Sequence, residues 1–255
     1  MRWHYLSTVL LVIVGLVYAH YKKLGIEKTL AINSARAMIQ LILLGYALLY
    51  ILQIKNPLLL FLILLIMITF GAYTAQTRAK LVQHGFRTAF LSIFLGSSTV
   101  IFTLIAMKVL TLKANELIPI SGMIIGQALN VYTIMVDRMK GEVRNTIDII
   151  ENKVALGATI RQALEAPFRD ASRAGFIPIM NSLQTVGIVF IPGMTTGLLV
   201  GGADPLKAVS YQIVVMYMMV GVALFTTFFS TFFVCSTIIP SALSETSHNR
   251  TEKNM

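Results

Sequence analysis

Residues 58 to 70 read LLLFLILLIMITF, an uncharged run that is apolar in every direction. A helix on the surface of a soluble domain shows an apolar stripe opposed by polar residues, and a barrel strand alternates apolar with polar. Neither pattern is present. An all-round apolar run is what a lipid-embedded helix needs, because a helix satisfies its own backbone hydrogen bonds where water is absent. Similar stretches recur at 3–19, 36–53, 57–74, 89–112, 117–136, 178–200 and 208–235, each near the length that crosses a bilayer. Only 13% of residues are charged, about half the usual share in a soluble domain. The chain therefore reads as an all-α, polytopic integral membrane protein of about seven transmembrane helices. One transmembrane domain spans 1–235, with a polar tail at 236–255. Its end, SALSETSHNRTEKNM, has the composition of a disordered segment.

Basic residues test this layout, since cytoplasmic loops collect Lys and Arg. With the N-terminus outside, the inner side holds Lys22, Lys23, Lys28, Arg36, Arg78, Lys80 and Arg87, seven more within 137–177, and Arg250 and Lys253. The outer side holds Arg2, Lys55, Lys108, Lys113 and Lys207, a split of sixteen against five. That places the C-terminus and the 137–177 loop in the cytoplasm. Cleavage of the first segment as a signal peptide, after Ala19, would leave Lys22 and Lys23 outside against this bias, so a reverse signal anchor is preferred. A formal charge of +10 thus reports topology and lipid contact rather than nucleic acid. The single cysteine, Cys235, excludes an internal disulfide and a thiolate metal site.

Catalytic chemistry is scarce. The histidines, at 4, 20, 84 and 248, fall in loops or tails, and no HExxH, GxSxG or Walker A sequence occurs. The chain is not read as an enzyme. It binds no cofactor of its own, and ATP would have to be hydrolysed on another subunit. No carboxylate lies mid-span, which disfavours proton coupling. Mid-span polarity is uncharged: Gln40, Gln127, Asn130, Asn181, Gln184 and Gln212. Such groups serve either as interhelical hydrogen-bond partners or as the lining of a path. Asn181 and Gln184 share a helical face and lead into Pro192, Gly193, Met194, Thr195, Thr196 and Gly197. A proline and glycines within a span interrupt the helix and free carbonyls, as substrate sites of transporters do, although a packing kink gives the same pattern. On the last span Tyr211, Gln212 and Met216 complete the candidate path. Thirteen methionines are ordinary filler in apolar spans; only Met194, Met216, Met218 and Met219 bear on a soft-metal reading. The identity of any metal is left unknown.

The 137–177 segment balances seven basic against six acidic residues, so it is more than a polybasic lipid anchor. Val143, Ile147, Ile150 and Val154 form one apolar stripe. A break at Leu156, Gly157, Ala158 and Thr159 follows. Thr159 with Gln162 then forms a capping box, opening a second helix with Ile160, Leu164, Phe168 and Ala171 on one side and Pro167 expected to kink it. An amphipathic helical pair of this kind suits docking to a protein or lying in the lipid interface.

The runs GMIIGQALN (122–130) and ENKVALGATIRQALEAPFRDASRAGFIPIMNSLQTVGIVFIPGMTTGLLVGGADPLKAVSYQIVVMYM (151–218) resemble the membrane subunit of FetB-type ABC transporters, bacterial iron-export permeases with plant relatives linked to aluminium tolerance. The resemblance is specific over about 117–235. It implies an inner-membrane permease that pairs with itself and with a separate ATPase subunit, moving iron or another small substrate. It places Glu151, Gly157, Ala158, Thr159, Arg161, Arg169 and Arg173 at the ATPase-coupling loop. The loop of importers, with a Glu, a Gly and a later Pro, is matched by Glu151 and Gly157 but not by Pro178, which comes too late, so direction is not inherited from importers. The lack of mid-membrane carboxylate or histidine weighs against a bare hard cation, although backbone carbonyls at 192–197 with Asn181, Gln184 and Gln212 could coordinate one, and a chelate or organic substrate fits as well. An uncoupled channel or secondary carrier is the competing reading.

Overall fold

A computed structural model describes residues 9–79 and 85–253, with side chains as far as Cys235. Arg2, His4, Lys80 and His84 lie outside the described residues, as do the side chains of His248, Arg250 and Lys253. The described chain is helical, apart from connections and one isolated bridge between Val186 and Phe190. It packs as two compact units, Met1–Lys55 and Asn56–Met255. The first holds α1 (Val9–Tyr21) and α2 (Glu27–Ile51), joined by a turn in which Lys23 and Gly25 take positive φ. No residue of α2 is buried.

The second unit holds α3 (Pro57–Ala79), α4 (Gly85–Ala106), α5 (Ala114–Asn145), α6 (Ile147–Ala155), α7 (Ile160–Ala163), α8 (Glu165–Thr185), α9 (Gly193–Val200) and α10 (Pro205–Lys253). Among the described residues five helices are long and apolar enough to cross a bilayer: α2, α3, α4, α5 and the Pro205–Cys235 part of α10. The other two expected stretches differ. The first is an apolar helix of 13 described residues. The sixth is no single helix, because α8 stops at Thr185 and α9 starts at Gly193.

Segment 137–177 is likewise less of a loop than its composition suggests. α5 runs on to Asn145 because Val136, Met139 and Val143 continue its buried face. α8 already begins at Glu165, where Pro167 occupies the first turn. An N–H missing there has no intrahelical partner to lose, so Pro167 opens α8 instead of kinking a longer helix. At the other end α10 passes the apolar boundary and remains helical to Lys253, where the tail's composition predicts disorder.

Small residues set the packing. A Cβ on Gly71 would meet Ile125 and Leu129, and one on Gly122 would meet Met67, so α3 and α5 run parallel. Gly96 abuts Thr226 and Gly221 faces Val100, which makes α4 and α10 antiparallel. Gly175 of α8 seats against Val131 and Met135 of α5. Without a hydrophobic drive between helices in lipid, such close approaches supply the packing energy. The fully buried Tyr132 of α5 shares a 3.0 Å hydrogen bond with Thr88 of α4. Lys140 Nζ donates to the Ala79 carbonyl at 3.3 Å, which joins the C-terminal ends of α5 and α3 and places a cation at a helix C-terminus, where the dipole favours it.

Candidate functional site: a cavity at the helix break

The break between α8 and α9 is built by local chemistry. Gly187 takes φ +81 with nothing within 4 Å of a notional Cβ, so conformation and not space requires glycine there. The Gly187 N–H donates to Phe190 O at 3.0 Å and the Val189 N–H to Thr185 O at 2.9 Å, closing the loop on itself. Pro192 is the N-cap of α9 and Gly193 its first residue. The break therefore lies upstream of the Pro192 to Gly197 element, at 186–191. Proline near a helix start costs nothing, and this one starts a helix.

Between the end of α8, the loop, α9 and α10 lies a cavity of about 500 Å³. Of the residues expected on a path, Pro192, Thr195, Gln212 and Met216 line it. Thr195 and Gln212 are buried and bonded, Thr195 Oγ1 donating to Gln212 Oε1 at 3.1 Å. Gly193, Met194 and Gly197 lie on α9 outside the lining, and Asn181, Gln184 and Tyr211 are exposed on the surface of the chain. The remaining walls are mostly apolar: Leu183 and Ile191, which fall within the 181–197 run read as part of the path, and Leu199, Val209, Ile213 and the ring of Tyr217, which were not named from sequence. On α10 a signal existed, since Pro205, Val209, Gln212 and Met216 recur at helical spacing. For the α8–α9 side no periodic signal could survive the loop.

A second feature lies at the α6–α7 turn. Thr159 and Gln162 make the capping box in full, with Gln162 Oε1 accepting from the Thr159 N–H at 2.8 Å and the Gln162 N–H donating to Thr159 Oγ1 at 3.3 Å. Gly157 takes φ +91 in open space. Leu164, Phe168 and Ala171 are buried as the stripe predicted, whereas Ile160 is exposed. Arg161, Arg169 and Arg173 are exposed, Arg173 lying 3.8 Å from Asp170. Glu151 and Ala158 are half-buried. Leu156, named from sequence only as the start of the break, has 89% of its surface exposed.

The profile of the family described as "Uncharacterised protein family (UPF0014)" matches residues 3–239. The chain belongs to the UPF0014 family. Its UPF0014 relatives include the Escherichia coli K12 protein named "Probable iron export permease protein FetB", 36% identical over 86% of this chain and 84% of the relative. The Arabidopsis thaliana protein named "Protein ALUMINUM SENSITIVE 3" is 33% identical over 89% and 83%. "UPF0014 membrane protein YjkA" of Bacillus subtilis is 30% identical over 82% and 84%. No solved structure matches this UPF0014 chain. A multi-pass membrane protein of a family that includes a named permease agrees with the resemblance carried by the 122–130 and 151–218 runs.

Proposed function

We propose that this UPF0014 chain is the membrane-spanning permease subunit of an ABC transporter, with seven crossings in the plasma membrane, N-terminus outside and C-terminus in the cytoplasm. ATP is hydrolysed on a separate subunit. The observation that carries the reading is the capped α6–α7 turn. Leu156 is a large apolar side chain with 89% exposure, next to a left-handed glycine turn, and the exposed Arg161 and Arg169 follow it in the chain on α7 and α8. An exposed apolar side chain with exposed arginines on the same segment is a composition suited to a protein contact. It follows the C-terminal end of α5, whose partner end on α3 is capped by Lys140, the end where the basic residues collect. In this reading α1 and the α8–α9 pair supply the remaining two crossings.

Two further parts of the proposal rest on exposure. Asn181 and Gln184 are exposed on the surface of α8 in a stretch otherwise apolar enough for lipid. Uncovered amides in hydrocarbon are costly, which favours a homodimer in which a second copy covers them. Substrate is a small molecule or ion. Iron, named for the FetB relative, is the family-level choice, and export the direction.

The test is retention of the ATPase. Tagged full-length chain is purified from its native membrane in mild detergent, and the retained chains are searched by mass spectrometry for a Walker A sequence, with ATP hydrolysis assayed on the same fraction. Gly157→Val and Arg169→Glu should each lower the retained ATPase at least fivefold with membrane insertion unchanged. Full retention in both variants, or no Walker A protein with the parent chain, overturns the reading in favour of an uncoupled channel or carrier.

A further inference from the structure

The 500 Å³ cavity has a polarity that decides what it can hold. Its buried polar pair is Thr195 and Gln212, and the Thr195 hydroxyl donates to the amide oxygen of Gln212. That bond occupies the acceptor end of Gln212 and leaves its amide N–H₂ without a partner among the described residues. Gln212 is only 6% exposed and lines the cavity. The N–H₂ is not one of the fully buried unpartnered groups, so it opens onto the cavity, where it is free to donate to an acceptor on a ligand.

Charged and imidazole cation ligands are, by contrast, absent from the lining. No group of three His, Cys, Asp or Glu residues exists among the described residues. At the helix break, Thr185 O, Phe190 O and Pro192 O already accept backbone N–H groups. Among the cavity's lining residues Met216 supplies the one thioether, too few for a soft-metal site. The other walls are aliphatic or aromatic.

We propose that this cavity binds a neutral organic molecule, apolar in body and carrying a carbonyl or comparable acceptor oxygen that takes the Gln212 amide N–H, and that it does not bind a bare metal cation. The proposal names the substrate class of the permease reading and rests on it for transport, but the binding itself needs only this chain. A metal would then travel wrapped in oxygen-donor ligands, its charge hidden from the apolar walls.

Benzophenone is a suitable probe, being neutral, apolar, equipped with one ketone oxygen, and photoreactive toward neighbouring C–H bonds. Full-length chain in lipid nanodiscs is irradiated over a range of benzophenone concentrations, and adducts are mapped by mass spectrometry. Labelling at Val209, Ile213 and Met216 should saturate. Gln212→Leu should raise the half-saturation concentration about threefold, the measure of one interhelical hydrogen bond in a membrane. Ile213→Trp, which fills the cavity from its wall, should abolish the saturable component, and it serves if the Gln212 variant fails to insert. Excess ferrous ion should leave labelling unchanged. Non-saturating labelling equal to that of lipid-exposed residues on α3 would make the cavity a lipid groove and overturn the proposal. So would displacement by ferrous ion, which would make it a cation site. Because ATPase retention is measured separately, a chain that keeps its ATPase but shows no saturable labelling sinks only this proposal. Saturable labelling in a chain without an ATPase sinks only the transporter.

Discussion

Two glycines, Gly157 and Gly187, take φ of +91 and +81 with no atom within 4 Å of a notional Cβ. Substitution at either is opposed by backbone conformation alone, about 1–2 kcal/mol for an L-residue in the left-handed region. At Gly187 the strained turn holds the break that walls the cavity, so Gly187→Val should lower the thermal midpoint of the purified chain and weaken benzophenone saturation together. An unchanged midpoint would show that the loop relaxes to another path. Gly126 is the control, helical and with nothing near it; Gly126→Ala should be neutral or stabilise by up to about 1 kcal/mol, the helix-propensity difference.

Between elements, the tightest glycine contact among the described residues is at the α4–α10 seam. A Cβ on Gly96 would sit 2.5 Å from Thr226 Oγ1 and 2.9 Å from Thr226 Cα. Since the second contact is with backbone, the helices must separate. Gly96→Ala should destabilise by about 1–3 kcal/mol, the usual cost of overpacking, and Thr226→Ala in the same chain should fail to restore stability, because the Cα remains. Both outcomes are read by thermal unfolding in detergent. Restoration by the second change would place the clash in the hydroxyl alone. Along the same faces Ser92 of α4 and Ser230 of α10 bury hydroxyls with no hydrogen-bond partner among the described residues. Ser230→Ala therefore removes no bond and should be neutral or stabilising, whereas Ser97→Ala gives up a 2.5 Å bond to Ile93 O.

At the scale of the whole molecule, the sixteen-to-five split of basic residues predicts that reporter fusions within 143–153 and after Ser241 both read cytoplasmic. A periplasmic reading at either site would overturn the topology. That prediction, and the all-helical membrane character of the chain, follow from the sequence because hydropathy and charge act on each segment independently of its neighbours. The same locality explains why the Thr159–Gln162 capping box was legible: its partners are three residues apart. The α6–α7 turn at Gly157 is local too. The helix break was only half legible. Pro192 and Gly193 mark it in sequence, yet proline is compatible with a helix start, so the interruption falls before them, where Gly187 provides the positive φ. What tertiary structure alone decided is which polar groups face inward. Thr195 and Gln212 are 17 residues apart and meet only because α9 folds back against α10, while Asn181 and Gln184, equally polar, are left outside on the surface of α8. Residue type states that a buried amide must find a partner; only the packing of helices around the break determines which amide is buried.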